Sequence, residues 1–206
     1  MRGYVLITGA TSGLGYEFSK IMAKEGYNLI LVGRKKDKLN EISEELISRY
    51  QVYVKSYVTD LSKDNEIEKL CSEVELLPIE ILINNAGFNV YGKFTTTDLK
   101  KEEEMIWVNI ISLTRLTKII GKKMVERKKG KIMNISSIGS YIPGPLNSVY
   151  CATKSYVSSF SQALNEELKG SGILVTTICP VATNTNFAKS ANMENFKLNN
   201  RSRFSA

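Results

Sequence analysis

Short apolar runs rich in β-branched and aromatic residues recur along the chain at Tyr4–Thr8, Asn28–Val32, Val52–Tyr57, Ile79–Asn84, Lys131–Ser136 and Leu174–Cys179. Each is continuous in hydrophobicity, as expected of a parallel strand covered on both faces. Helical patterns separate them. Leu14–Glu25 is closed by Gly26, Asp37–Tyr50 follows, and Thr97 or Asp98 can cap a segment running through Trp107 to Lys128. A last one, Val149–Lys169, ends at Gly170. Strands that alternate with helices need right-handed crossovers. The pattern therefore predicts an α/β fold: a doubly wound parallel sheet of six strands in a three-layer αβα arrangement. No internal repeat, linker or low-complexity block interrupts it. The stretch after Thr183 is polar and Asn-rich, with no apolar strand.

The 206 residues suit one domain with a full core, and 43% hydrophobic with 24% charged residues is an ordinary globular balance. The chain has no histidine. That excludes a Ser-His-Asp triad and an H-E-x-x-H zinc site. Proton transfer falls to Tyr, Lys, Cys or carboxylates. The 3 cysteines, Cys71, Cys151 and Cys179, are widely spaced and read as reduced thiols of a cytoplasmic protein, with no bound metal. The first apolar run is too short for a signal peptide, and no stretch reaches the ~20 apolar residues of a membrane helix. A net charge of +7 raises nucleic-acid binding. The cations are dispersed, however, apart from Arg34-Lys35-Lys36 and the Arg127–Lys131 run, so neither nucleic acid nor membrane is expected as a partner.

Two places carry chemistry. The first strand runs into Thr8-Gly9-Ala10-Thr11-Ser12-Gly13-Leu14-Gly15 and then a helix. Glycines there allow a tight turn and close backbone approach to a pyrophosphate at a helix N-terminus. No Gly-Lys-Ser/Thr follows, which disfavours a triphosphate P-loop. The second strand ends at Val32-Gly33-Arg34-Lys35. An NAD site needs a carboxylate near this point, and Gly33 provides none. Arg34 can instead grip a 2′-phosphate with its planar donor fork, the competing reading being a solvated helix start.

With Asn84-Asn85-Ala86-Gly87, Ile135-Ser136-Ser137 and Tyr150-Cys151-Ala152-Thr153-Lys154 added, residues 3 to 187 resemble the short-chain dehydrogenase/reductase family. The likeness is to its compact one-domain branch with TGxxxGxG, NNAG and YxxxK motifs. The resemblance implies a Rossmann-type fold, a bound NADP(H) and hydride transfer to or from a carbonyl or alcohol carbon. It assigns Gly9, Gly13 and Gly15 to the phosphate loop, lined by Thr11, Ser12 and Leu14, with Arg34 and Lys35 at the ribose phosphate. Asp60-Leu61 would contact adenine, Tyr57 being the competing alignment for the acidic position. Asn85, Ala86 and Gly87 would border the nicotinamide ribose, and Thr183 and Thr185 the carboxamide. Tyr150 is then the acid/base, Ser137 rather than Ser136 orients the substrate oxygen, and Asn109 holds a relay water. Lys154, one helical turn from Tyr150, would favour tyrosinate and hold the ribose hydroxyls.

Two departures stand out. Pro180-Val181 occupies a place where the family commonly has Pro-Gly, so the loop over the nicotinamide is expected to differ. Few residues follow Phe187, so the usual seventh strand and substrate cover are expected to be missing. Residues 1–187 would form the domain and 188–206 a polar tail. From this comes the alternative reading, a truncated NADP-binding protein with little turnover. Phe88–Phe94 and Ile138–Ser148 should line the substrate pocket, with Ile138, Tyr141, Ile142, Pro143 and Leu146 as an apolar wall. The resemblance also implies a homodimer built on helices near Met105–Lys128 and Val149–Lys169.

Overall fold

The computed structural model describes residues 2–181. Thr183, Thr185 and the proposed boundary after Phe187 lie outside those residues. Among them, β1 (Tyr4–Thr8), β2 (Asn28–Gly33), β3 (Val54–Val58), β4 (Ile79–Asn84), β5 (Gly130–Ile135) and β6 (Ile173–Ile178) form one sheet in the order β3-β2-β1-β4-β5-β6. Every pairing is parallel. This is the Rossmann-type, doubly wound αβα sheet that the alternation of patterns predicts, and the strand ends agree with it to within two residues.

The strands build the two helix layers by alternation. Leu6, Ile30, Val32 and Leu82 point to one face, and Val5, Ile7, Leu29, Leu31 and Ile83 to the other. The first face packs on α3 (Asp64–Val74) and α5 (Leu113–Glu126) and on the lower part of α6 (Ser148–Glu167). The second packs on α1 (Gly13–Lys24) and α2 (Lys36–Tyr50). Burying each such Leu or Ile stabilises by about 1.5–3 kcal/mol, so the central strands β1, β2 and β4 anchor the domain. β3 is an edge strand with Val58 53% exposed, and Leu174 in β6 is likewise 53% exposed. These two runs are therefore not covered on both faces, which hydrophobicity alone does not reveal.

α3 is not among the helices singled out from the sequence. Its apolar positions Ile67, Leu70, Cys71 and Val74 are spaced for one buried face, but they occupy only three turns. The long segment capped by Asp98, whose carboxylate accepts from the Lys100 N–H, is also more than one regular helix. α4 (Leu99–Ile106) passes through a π-helical stretch, Trp107–Ser112, before α5 begins.

β1 and β4 are tied where they leave the sheet. The buried Thr8 hydroxyl accepts from the Asn85 and Ala86 N–H groups, both at 3.0 Å. The Asn85 amide donates back to the carbonyls of Thr8 and Gly9 at 2.9 and 3.2 Å. Gly15 packs so tightly on this tie that a Cβ would collide with the Gly9 carbonyl and lie 2.5 Å from Asn85 Nδ2. Gly121 in α5 differs: a Cβ there would rest 3.6 Å from Ile132 Cδ1, ordinary contact. Gly121→Ala should therefore stabilise the fold by ~0.5–1 kcal/mol, the helical cost of glycine. Gly15→Ala should lose ~1–3 kcal/mol through overpacking. Chemical denaturation of the two variants checks both signs.

Candidate active site

A cleft of about 860 Å3 opens across the C-terminal ends of β1, β2, β4, β5 and β6. It straddles the switch point between β1 and β4, where strand order reverses and ligands of open α/β sheets bind.

One end is shaped by backbone. Gly9 and Gly13 adopt φ +66 and +54, conformations that L side chains rarely take. Ser12 stands at the N-cap of α1 without a side-chain cap hydrogen bond, which leaves the first-turn N–H groups for another acceptor. Thr11, Ser12, Gly13 and Leu14 line the cleft, whereas Gly15 lies behind it. At Gly33 a Cβ would come 2.8 Å from the Thr11 methyl, so this conformation has no room for an acidic side chain there. Arg34 and Lys35 follow at the cleft wall, and both are exposed. Across from them sit Asp60 and Leu61. Burial pushes the Asp60 carboxyl up, but hydrogen bonds from the Ser62 N–H and hydroxyl, with Arg34 and Lys63 nearby, hold it below the usual range. Lys38, Thr59 and Ser62 also line this end. Sequence reasoning missed them. Glycine geometry and an uncapped helix start together fit the pyrophosphate of a dinucleotide.

The other end gathers side chains. Ser137 follows β5, accepts from the Gly139 N–H at 3.1 Å in a short 3-10 turn (Ile138–Ser140), and hydrogen-bonds Tyr150. Tyr150 and Lys154 lie one turn apart on α6 and both line the cleft. Lys154 is 4% exposed; its Nζ donates to the Ile135 carbonyl at 2.8 Å and sits 5.8 Å from the Tyr150 ring centre. Ala86 and Gly87 form the facing wall, where a Cβ on Gly87 would lie 3.3 Å from Lys154 Nζ. The π-helical turn carries Asn109 inward, but behind Gly87 rather than into the cleft. Its amide donates to the Phe88 carbonyl and the Thr153 hydroxyl and accepts from the Phe88 N–H. Asn84 bridges Thr117 and Asn134 beneath the site.

Burial dominates both titratable groups. It pushes the Tyr150 phenol up to about 12, against the lowering effect of the Ser137 hydrogen bond. It pulls the Lys154 ammonium down to about 8, against the raising effect of Cys179. Tyr150 therefore holds its proton firmly at neutral pH and is set up as a donor. Acting as a base would require added positive charge beside it.

Ile138, Ile142 and Pro143 form an apolar wall next to Ser137. Tyr141 and Leu146 are not in the cleft lining, and the Tyr141 hydroxyl instead lies 3.5 Å from Cys179 Sγ. The wall is braced by contacts that the sequence does not announce. Asn89 donates to Asn147 at 2.6 Å, and the Gly92 N–H donates to the carbonyl of Leu146, which has φ +65.

A Rossmann-type sheet, a glycine-shaped loop and a Ser-Tyr-Lys cluster at the C-terminal strand ends define a class of nucleotide-dependent α/β proteins. The short chain dehydrogenase family model matches residues 3–195, running on past Phe187, and the chain belongs to that family. The very-long-chain 3-oxoacyl-CoA reductase of Mus musculus is 35% identical over 190 residues, 90% of this chain. The Homo sapiens protein of the same description gives the same figures. The chain spans 61% of the length of each of these two relatives. Among solved structures, a short-chain dehydrogenase from Sphingobium yanoikuyae in complex with NADPH superposes with TM-score 0.93 at 34% identity, covering 98% of this chain and 79% of that one. The bulky-bulky ketone specific alcohol dehydrogenase from Comamonas testosteroni gives TM-score 0.86 at 31% identity, covering 88% and 74%. No helix among the described residues is long and apolar enough to cross a membrane.

Lys154 leaves a thermodynamic signature. Its folded pKa of about 8 lies below the unfolded 10.5, so between those values the unfolded chain binds more protons and stability rises with pH. The full span is on the order of 3 kcal/mol. Tyr150 acts oppositely, and only above pH 10. Denaturation midpoints measured from pH 7 to 10 should climb in the wild type, and Lys154→Met should flatten the climb.

Proposed function

We propose that this chain is an NADP(H)-dependent oxidoreductase moving a hydride between nicotinamide and a carbonyl or alcohol carbon of an apolar substrate. The observation that carries the reading is the convergence of Ser137, Tyr150 and Lys154 at one end of the cleft whose other end holds Arg34 and Lys35. When bound, the nicotinamide supplies the hydride. The chain's own groups do the rest. Ser137 and Tyr150 receive the substrate oxygen, fixing it by two hydrogen bonds. Tyr150, its pKa raised by burial, keeps the proton that reduction delivers to that oxygen. Lys154, aimed at the same cleft, offsets the negative charge that develops on the phenol oxygen and donates to ribose hydroxyls. Asn109 fixes the Phe88 backbone and with it the Gly87 wall.

The apolar wall of Ile138, Ile142 and Pro143 favours a carbonyl compound with a hydrocarbon substituent. The names of the relatives, 3-oxoacyl-CoA and bulky ketone enzymes, agree with that class. We also propose a cytoplasmic homodimer through α5 and α6; the exposed Val125 of α5 and Tyr156 of α6, each 37% accessible, suit such a face.

NADPH consumption against a panel of aliphatic and 3-oxoacyl carbonyl compounds tests the activity. Tyr150→Phe should lower kcat at least a thousandfold while NADPH binding stays within threefold; a variant with wild-type kcat removes Tyr150 from the mechanism. Cofactor choice is tested by titration. NADPH should bind ~10–100-fold more tightly than NADH, the worth of a charge-assisted contact of ~1.5–3 kcal/mol. Arg34→Ala should erase most of that ratio, and equal affinities in the wild type would contradict the assignment.

A further inference from the structure

The face between β5 and α6 holds a buried polar seam that no step above uses. Asn134 and Ser136 are alternate residues of the β5 segment, so both point to the same side, and they are 0% and 3% exposed. The Ser136 hydroxyl donates to the main-chain carbonyl of Lys154 at 2.8 Å and meets the Ser158 hydroxyl at 2.8 Å. Asn134 donates to the Ser161 hydroxyl at 2.8 Å and accepts from Asn84 at 2.8 Å. Residue numbers rise along the strand as they fall along the helix: Ser136 faces Lys154, and Asn134 faces Ser161. The seam thus grips α6 at two heights.

Apolar packing, here through the fully buried Val157, is non-directional and tolerates sliding of a helix along a sheet. Hydrogen bonds do not: they weaken steeply with distance and angle. Two of them at separate heights fix both the axial position and the rotation of α6. What they fix is the part of the helix that matters. The next residue after Ser136 is Ser137, which meets Tyr150, and the residue before it is Ile135, whose carbonyl receives Lys154 Nζ. Ser136 therefore ties the backbone of Lys154 to the strand between the two points where the reacting side chains of α6 touch it.

We infer that Ser136 is a positioning residue, which sets the height of Lys154 and Tyr150 over the cleft by bonding the Lys154 carbonyl. This rests on the proposed Tyr150–Lys154 chemistry. Misplacement of reacting groups by ~1 Å costs up to ~100-fold in rate. Ser136→Ala removes the bond to Lys154. Ser158→Ala is the matched control, since it removes a hydroxyl from the same buried cluster but leaves the Ser136–Lys154 bond in place.

The experiment compares kcat, KM and NADPH affinity in the wild type and both variants, with thermal unfolding alongside. Ser136→Ala should lower kcat 10–100-fold with carbonyl KM within threefold, and weaken NADPH binding severalfold. Ser158→Ala should keep kcat and NADPH affinity within threefold while losing comparable thermal stability. If Ser136→Ala does not fold, Ser136→Cys, of similar shape and with only a weak donor, takes its place with the same expectation. Equal kinetic behaviour of the two variants overturns the inference and leaves the proposed function standing. A wild type that binds NADPH but reduces no carbonyl overturns the catalytic reading instead. The NADPH affinities of the two variants then decide the seam: loss confined to the Ser136 variant upholds it, and equal affinities reject it.

Discussion

A cation taken out of water is the constraint around which this site is arranged. Lys154 is buried, and its ammonium donates to the Ile135 carbonyl. Desolvation outweighs the raising effect of Cys179 and draws its pKa down to about 8, which makes holding the charge costly to the fold. An apolar residue in that place would relieve the cost, so the lysine is a stability concession that calls for a functional reason. Tyr150 shows the complementary effect, since the same burial keeps its proton on. A phenol that holds a proton and an ammonium that is loosely charged, one helical turn apart, suit a site in which protonation and negative charge must be handled together.

The rest of the molecule serves to hold two ends of one cleft in register. β1 and β4 part at the switch point, and the Thr8 hydroxyl with the turned Asn85 amide binds their ends together. The glycine-shaped turn after β1 and the wall facing Lys154 are therefore tied together. β5 contributes Ser137 directly and holds α6 through side chains one and three residues earlier. The Asn109 amide, saturated by Phe88 and Thr153, joins the π-helical turn to both. Glycines complete the packing, at Gly15 where a Cβ would collide with the Gly9 carbonyl and at Gly87 where one would press on Asn109 and Lys154.

Much of this could be read from the sequence because it depends on local rules. Apolar runs marked the strands, and the glycine-rich pattern at Thr8–Gly15 marked the tight turn between β1 and α1. The i, i+4 spacing put Tyr150 and Lys154 on one face. What could not be read is long-range and directional. Nothing near Asn85 in the chain says that its amide turns back to Thr8 and Gly9, and nothing near Asn109 says that it braces Phe88 from behind. The seam from Asn134 and Ser136 to α6 spans 18 to 27 residues of sequence. α3 escaped notice because three turns give too few repeats of the 3.6-residue period to stand out. The exposed sides of β3 and β6 escaped because hydrophobicity marks an apolar strand without telling which neighbours cover it.

In the proposed function one cleft binds NADPH from Arg34 at one end to Tyr150 at the other. A crystal structure of the chain soaked or grown with NADPH tests this most directly. The 2′-phosphate should lie against Arg34 and Lys35, the pyrophosphate over the Gly9–Leu14 loop, and the nicotinamide ring beside Ser137 and Tyr150 with its ribose hydroxyls on Lys154. A cofactor bound with its 2′-phosphate away from Arg34, or with the nicotinamide outside reach of Tyr150, would contradict it.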